Sequence, residues 1–414
     1  QEMTRRVVIT GMGTVNSLCS DVPGFWSALL AGRSGVGTIE QFDTSAFKVH
    51  FGGEVKNFDP EPLVDKKKAH RLDRFAQFAL VASHSAVQDS GVDFTKEDPY
   101  RCGVIIGSGI GGLNEFEEQH GRYKDHGPGR ISPFVIPKMI PNAAAGNVSI
   151  EFGLCGPNTA VSTACASAAH AIGDAMRAIQ WGYADVMLAG GSESVITPMG
   201  MGGFCSARAL SLRNDDPQAA SRPFDKDRDG FVLSEGAGIV VLEELEHARQ
   251  RGATLYAELL GVGSTADAHH ITQPHPCGTG ATKAMDLALR DAQLNPEDIQ
   301  YVNAHGTSTP LGDESETKAI KEIFGNHARK LAISSTKSML GHLLGASGGV
   351  ELIVTALTLR HRVVHPTINY QTPDPACDLD YVPNTAREMN VRHALSNSFG
   401  FGGHNCTLVI GAIK

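Results

Sequence analysis

The stretch Arg6-Val7-Val8-Ile9-Thr10-Gly11-Met12-Gly13 decides the fold, because the chain repeats it in kind as Tyr256-Ala257-Glu258-Leu259-Leu260-Gly261-Val262-Gly263. Each is a short apolar run of the length of a buried strand, closed by glycine punctuation. The correspondence continues outward. Gly103-Val104-Ile105-Ile106-Gly107 runs into a glycine loop, and Ile299-Gln300-Tyr301-Val302-Asn303-Ala304 runs into His305-Gly306. Each half then predicts a small-residue turn followed by an amphipathic helix, over 163–180 and 334–359. Hydrophobic strands close each half: 184–189 with 239–242 in the first, and 406–410 in the second. Strand segments alternating with helical patterns predict an α/β architecture with mostly buried strands. No Pro/Gly/Ser linker separates the halves, so 3–252 and 253–414 are expected to pack as one body around a shared cleft, where ligands tend to bind.

Composition narrows the function classes. The 414 residues can bury a sizeable core, and 41% hydrophobic with 20% charged residues fits a globular chain and argues against disorder. No apolar run approaches the twenty residues that span a bilayer. The start, Gln1-Glu2-Met3-Thr4, has no signal-peptide apolar region, and Gln1-Glu2 reads as a remnant or a processed end. Eight cysteines without a Cys-x-x-Cys pair predict reduced thiols in a cytoplasmic setting, with an organelle stroma or matrix as the alternative. A net charge of −9 argues against general nucleic-acid affinity. The exception is Lys66-Lys67-Lys68 with His70, Arg71 and Arg74, which reads either as a solvated basic face or as a docking patch for an acidic partner.

Cys165 stands in Ser162-Thr163-Ala164-Cys165-Ala166-Ser167-Ala168-Ala169-His170, with Ala168, Ile172, Ala175, Met176 and Ile179 at helical spacing behind it. A cysteine in the first turn of that helix would have free N–H groups and the positive dipole end beside it, and both favour the nucleophilic thiolate. The bland alternative is a buried structural cysteine.

Three motifs are set aside. Gly107-Ser108-Gly109-Ile110-Gly111-Gly112 matches a dinucleotide pattern, but no clean helix with a correctly spaced acid is expected after it. Asp225-Lys226-Asp227-Arg228-Asp229-Gly230 resembles a calcium loop whose closing glutamate is missing, since Gly236 stands there; a polar turn with local salt bridges is expected. Gly345-Ala346-Ser347-Gly348-Gly349 has the spacing of a serine-hydrolase elbow without a strand before it, so close helix packing explains it.

The chemistry concentrates in Asn303-Ala304-His305-Gly306-Thr307-Ser308-Thr309-Pro310, with Asp313 after it, and in Ser335-Thr336-Lys337-Ser338-Met339-Leu340-Gly341-His342, which leads to Glu351. By the internal repeat, both loops end beside Cys165. Cys165, His305 and His342 lack short ligand spacing, so no metal is expected.

Thr163-Ala164-Cys165-Ala166-Ser167-Ala168, Asn303–Thr309, Lys337–His342 and Asn397-Ser398-Phe399-Gly400-Phe401-Gly402-Gly403 occur in order. Together they resemble the signatures of β-ketoacyl-acyl-carrier-protein synthases, above all the type II elongating enzymes. The match runs from Arg6 to the C-terminus. The resemblance implies a thiolase-like, five-layered αβαβα fold of two related halves, a homodimer, an acyl-carrier-protein partner and no cofactor, phosphopantetheine arriving on the carrier. It implies Cys165 as acyl-carrying nucleophile and His305 and His342 as donors to the malonyl thioester oxygen. Lys337 with Glu351 would set the electrostatics, and Asp313 would support the loop. The backbone of Phe401 would share the oxyanion hole with Cys165, its ring acting as a gate opposite Phe204. Thr307, Thr309 and Thr272 would meet the pantetheine arm, Ile110 the acyl tunnel, and Lys67, Arg71, Arg130 and Arg208 the carrier. One departure is His404-Asn405, where several bacterial relatives carry Thr-Asn. The rival readings are a biosynthetic thiolase, a ketosynthase of a discrete polyketide system, and a non-catalytic chain-length partner.

Overall fold

In the computed structural model, residues 5–413 are described; Gln1-Glu2, read above as a remnant or processed end, lie outside them, as do Met3 and Thr4. Ten strands form one mixed sheet: β1 (Val7–Val15), β2 (Cys102–Gly107), β3 (Asn158–Val161), β4 (Val186–Glu193), β5 (Gly236–Glu244), β6 (Ala257–Ala266), β7 (Tyr301–Asn303), β8 (Ala332–Ser334), β9 (His393–Gly400) and β10 (His404–Gly411). The order is β8-β7-β9-β10-β6-β1-β5-β4-β2-β3. Outward from the centre, β1-β5-β4 and β6-β10-β9 are antiparallel, whereas β4-β2-β3 and β9-β7-β8 are parallel. The halves therefore share one topology, and they join at the β1–β6 seam, where Val7, Val8 and Ile9 pair with Leu259, Glu258 and Ala257. Strand β9, absent from the expected set, completes the second half.

Six helices matter for the site: α1 (Arg74–Ser90), α2 (Leu113–His126), α3 (Ser167–Gln180), α4 (Thr279–Ala292), α5 (Pro310–Phe324) and α6 (Ser347–His361). α1 covers the outside of the first half-sheet and α4 the outside of the second. α3 and α6 lie between the half-sheets, where Ile172, Met176, Leu352 and Ile353 meet Val240 and Leu408 in the central core. Sheet and helix layers alternate because each buries its apolar face against the next, giving the expected five-layered arrangement.

The second turn-and-helix segment differs from the expected one. β8, a short helix at Lys337–Leu340 and a turn precede α6, which is buried from Ser347 to Leu359 instead of being amphipathic. A helix walled by sheet on both sides has no solvent face, so it shows no stripe.

The turns into the two central helices are alike at the atomic level. Three residues before each helix stands a non-glycine in the left-handed region, Ala164 at φ 50° and Leu344 at φ 50°. Ser167 Oγ accepts the Thr163 N–H at 2.9 Å, and Ser347 Oγ accepts the Leu343 N–H at 3.0 Å.

Candidate active site

Cys165 lies two residues before α3, not in its first turn. The left-handed Ala164 bends the chain there, a conformation costing an alanine about 1 kcal/mol. The end of β9 presses on this bend: a Cβ on Gly400 would meet Thr163 O at 2.8 Å and Cys165 N at 2.9 Å. Only glycine permits that approach, and it brings the Phe401 N–H to the sulfur.

The thiol is not resting as a thiolate. Burial pushes Cys165 up to about 12, and the nearby charges of Glu193 and Glu351 add to this; Lys337 and the Phe401 N–H pull the other way without prevailing. Desolvation disfavours any charged form, and here it outweighs the helix terminus invoked from the sequence. Alkylation of Cys165 by iodoacetamide should consequently rise about tenfold per pH unit from pH 7 to 10 without levelling. A plateau below pH 8 would contradict a buried neutral thiol.

His305 follows β7 through Ala304, and its loop is held by a carboxylate: Glu316 on α5 accepts the N–H groups of His305 and Gly306, each at 2.8 Å. His342 is stitched to the first half, its N–H donating to Val232 O at 2.7 Å and its carbonyl accepting from Ser234 N at 3.0 Å. The rings meet edge to face with centroids 5.4 Å apart. Lys337 Nζ lies 3.5 Å from His305 Nδ1, and the Leu344 N–H donates to His342 Nδ1 at 3.2 Å. Each Nδ1 thus faces a donor, which assigns the ring proton to Nε2 in both. Burial and the Lys337 charge hold both imidazoles well below the usual histidine range, so both are neutral N–H donors.

Lys337 is paired in the interior with Glu351, whose carboxyl burial pushes up to about 7 against the pull of that lysine. Asp313 does not line the cavity. It accepts from Phe224 N at 2.8 Å and Ser308 N at 3.2 Å, with Arg228 at 3.6 Å, and so supports the histidine loop from behind.

One cavity joins these groups, lined by Cys165, His305 and His342 together with Ile110, Phe204 and Phe401. Thr307, Thr309 and Thr272 line it as well, the first two with hydroxyls 2.9 Å apart. Phe401 is part-exposed beside Gly402 and Gly403, both left-handed, and its loop latches to its neighbour through Gly402 N to Ile271 O at 2.7 Å. Lys67, Arg71, Arg130 and Arg208 are all exposed, but the wider basic run is partly consumed: Lys68 pairs with Glu151, Lys66 with Glu61, and Arg74 with Glu235.

Sequence reasoning missed Glu316, Glu193 and Phe231. Glu316 carried one usable signal, since it stands three residues after Asp313 on the helix face turned to the histidine loop. The set-aside motifs are settled by their partners. A helix, α2, does follow the 107–112 glycines, contrary to expectation, but the Gly109 and Ile110 N–H groups that would cradle a phosphate are bound to Glu193. The Asp225–Gly230 turn carries the expected local salt bridge, Arg222 to Asp225 at 3.1 Å, and adds long-range contacts: Asp225 accepts from Gln371 N and Thr372 N, each at 2.7 Å, and Arg228 pairs with Asp374 at 2.6 Å.

Residues 4–248 match the family described as Beta-ketoacyl synthase, N-terminal domain, and residues 256–371 the corresponding C-terminal domain. The chain belongs to the β-ketoacyl synthase family. It is 54% identical over 404 residues, 98% of this chain and 97% of the relative, to 3-oxoacyl-[acyl-carrier-protein] synthase 2 of Synechocystis sp.. It is 52% identical over 405 residues, 98% of each, to the protein of that name from Staphylococcus aureus. Among solved β-ketoacyl synthases, it resembles one from Burkholderia phymatum with TM-score 0.92 at 38% identity, covering 99% of this chain and 100% of that one. A type II polyketide ketosynthase in complex with its acyl-carrier protein gives TM-score 0.93 at 38% identity, with full coverage of both chains.

Proposed function

We propose that the chain is a 3-oxoacyl-[acyl-carrier-protein] synthase, lengthening a fatty acyl chain by decarboxylative Claisen condensation. The observation that carries this reading is one thiol facing two neutral imidazole N–H donors in a single cavity. Cys165 attacks the acyl thioester, forming the acyl-cysteine and releasing the carrier thiol. The N–H groups of Cys165 and Phe401 hold the oxyanion of that step. The malonyl thioester then enters, and its C–C bond to the carboxylate breaks, releasing carbon dioxide. The electron pair spreads onto the thioester oxygen, where the two Nε2–H groups stabilise it. The carbanion attacks the acyl-cysteine, yielding the 3-oxoacyl thioester, and the returning thiolate takes up a proton. Thr307, Thr309 and Thr272 meet the pantetheine arm, Ile110 and Phe204 border the acyl chain, and Phe401 gates entry. No cofactor is required.

A thiolase would need a second cysteine at the cavity; among the described residues Cys165 is the one that lines it. The nucleophile's presence weighs against a non-catalytic chain-length partner, and the 52–54% identity to relatives named 3-oxoacyl-[acyl-carrier-protein] synthase 2, against 38% to the polyketide ketosynthase, favours fatty-acid elongation. Incubation with acyl- and malonyl-carrier protein, followed by product mass, tests the reading; no two-carbon extension would end it.

Carrier proteins are acidic, and Lys67, Arg71, Arg130 and Arg208 offer exposed positive charge. Exchanging all four for glutamate should raise KM for carrier-bound substrate about tenfold or more, with Cys165 alkylation unchanged. An unchanged KM would remove the docking surface. A homodimer is supported by the open edge of β3, with Phe116, Tyr123, Phe134 and Ile136 exposed on α2 and the segment after it; light scattering that found only monomer would exclude it. Carrier-bound substrates and the absence, among the described residues, of any helix long and apolar enough to cross a membrane suit a cytoplasmic enzyme; fractionation that recovered the protein with membranes would oppose this.

A further inference from the structure

Glu193 ends β4, is fully buried, and touches the cavity. Its carboxylate gathers four donors. Oε2 accepts the N–H of Gly109 at 2.7 Å and of Gly345 at 3.0 Å, while Oε1 accepts the N–H of Ile110 at 3.1 Å and the Ser108 hydroxyl at 3.0 Å. Its partners are dipoles instead of a cation, an arrangement that holds an anion by aimed backbone N–H groups.

These donors come from two loops in different halves. On the first-half side, Gly109 and Ile110 are cavity wall. On the second-half side, Gly345 follows Leu344, whose own N–H donates to His342 Nδ1 at 3.2 Å and shares that atom with the Ser347 hydroxyl at 3.1 Å. Leu344 sits at φ 50°, a strained state for leucine that persists only where the surroundings over-determine it. The N–H groups before and after its Cα are both committed, one to His342 Nδ1 and the other to Glu193. Space is committed as well, since a Cβ on Gly345 would meet Gly109 N at 2.5 Å and Glu193 Oε2 at 2.6 Å.

We infer that Glu193 is a positioning residue with two outputs: it sets the acyl-tunnel wall at Ile110 and, through Gly345 and Leu344, holds His342 as the Nε2–H donor. This deepens the condensing reaction proposed above and rests on that reading. A neutral amide cannot substitute. Glutamine offers one accepting oxygen, and its NH₂ group would confront backbone N–H groups.

The test uses full-length protein labelled with ¹⁵N-histidine, as wild type, Glu193→Gln and Ser108→Ala. In wild type, the His305 and His342 nitrogens report Nε2–H. In Glu193→Gln, His342 becomes a mixture of tautomers while His305 stays unchanged. Carbon dioxide release from malonyl-carrier protein falls about 10- to 100-fold, more than Cys165 acylation by a short acyl group does. Ser108→Ala removes one first-half donor to Glu193 and the acceptor of the Gly111 N–H, both on the tunnel side, so acyl-length preference shifts while the His342 spectrum and carbon dioxide release hold. An unchanged His342 tautomer in Glu193→Gln, equal loss in both half-reactions, or wild-type length preference in Ser108→Ala overturns the proposal. Should Glu193→Gln fail to fold, Ser108→Ala carries the test alone. The tautomer is read without turnover, so a wild type that does not condense would defeat the functional reading and leave this readout standing.

Discussion

Alanine at His305 or at His342 lowers carbon dioxide release from malonyl-carrier protein by about 10²–10³-fold, the effect of removing one preorganised oxyanion donor. Uptake of an acyl group by Cys165 stays near the wild-type rate. The asymmetry follows from the protonation states. Both rings are neutral, both Nδ1 atoms are occupied, and both therefore offer N–H where charge develops during decarboxylation. In a buried site such donors need no reorganisation as the charge forms. Radiolabelled malonyl-carrier protein measures the first step and intact-protein mass the second. Equal losses in the two steps would assign the histidines to thiol activation instead.

Cys165→Ala abolishes condensation, by about 10⁴-fold or more as for other removed nucleophiles, and leaves malonyl decarboxylation running. Acyl transfer needs the sulfur, whereas the donors on the opposite wall do not. Cys165→Gln tests the same division from the other side, because its amide carbonyl can occupy the N–H groups that await the acyl-cysteine oxygen. Decarboxylation should again persist, and no acylated protein should appear by mass. Acyl uptake by either variant would place the nucleophile elsewhere.

Much of this site was legible in the chain because its parts are local. Cys165, His305, Lys337 and His342 each sit in a short polar or small-residue loop next to a strand or helix signal, and the internal repeat brought the loops together. Glu193 was not legible, and Glu316 only through its place three residues after Asp313, since each acts by gripping backbone N–H groups that no side-chain pattern advertises; for Glu193 the partners stand 83 to 152 residues away. The fold class followed from alternating strand and helix signals. The course of the chain before α6 did not, because a helix buried on every side gives no periodic stripe. The thiol's ionisation was misjudged for a related reason: a helix terminus can be read from sequence, but the degree of desolvation that opposes it cannot.

The twin bends before α3 and α6 make the molecule a chassis with two equivalent mounting points, and Gly345 occupies the place that Cys165 holds in the other copy. Chemically, the second mount is blank, since any side chain there would collide with Gly109 and Glu193. The two halves are therefore interchangeable in backbone and unequal in chemistry. A second nucleophile cannot be installed by restoring the symmetry. It would require rebuilding the 108–110 loop first, which makes the empty position as much a determinant of one-thiol chemistry as the occupied one.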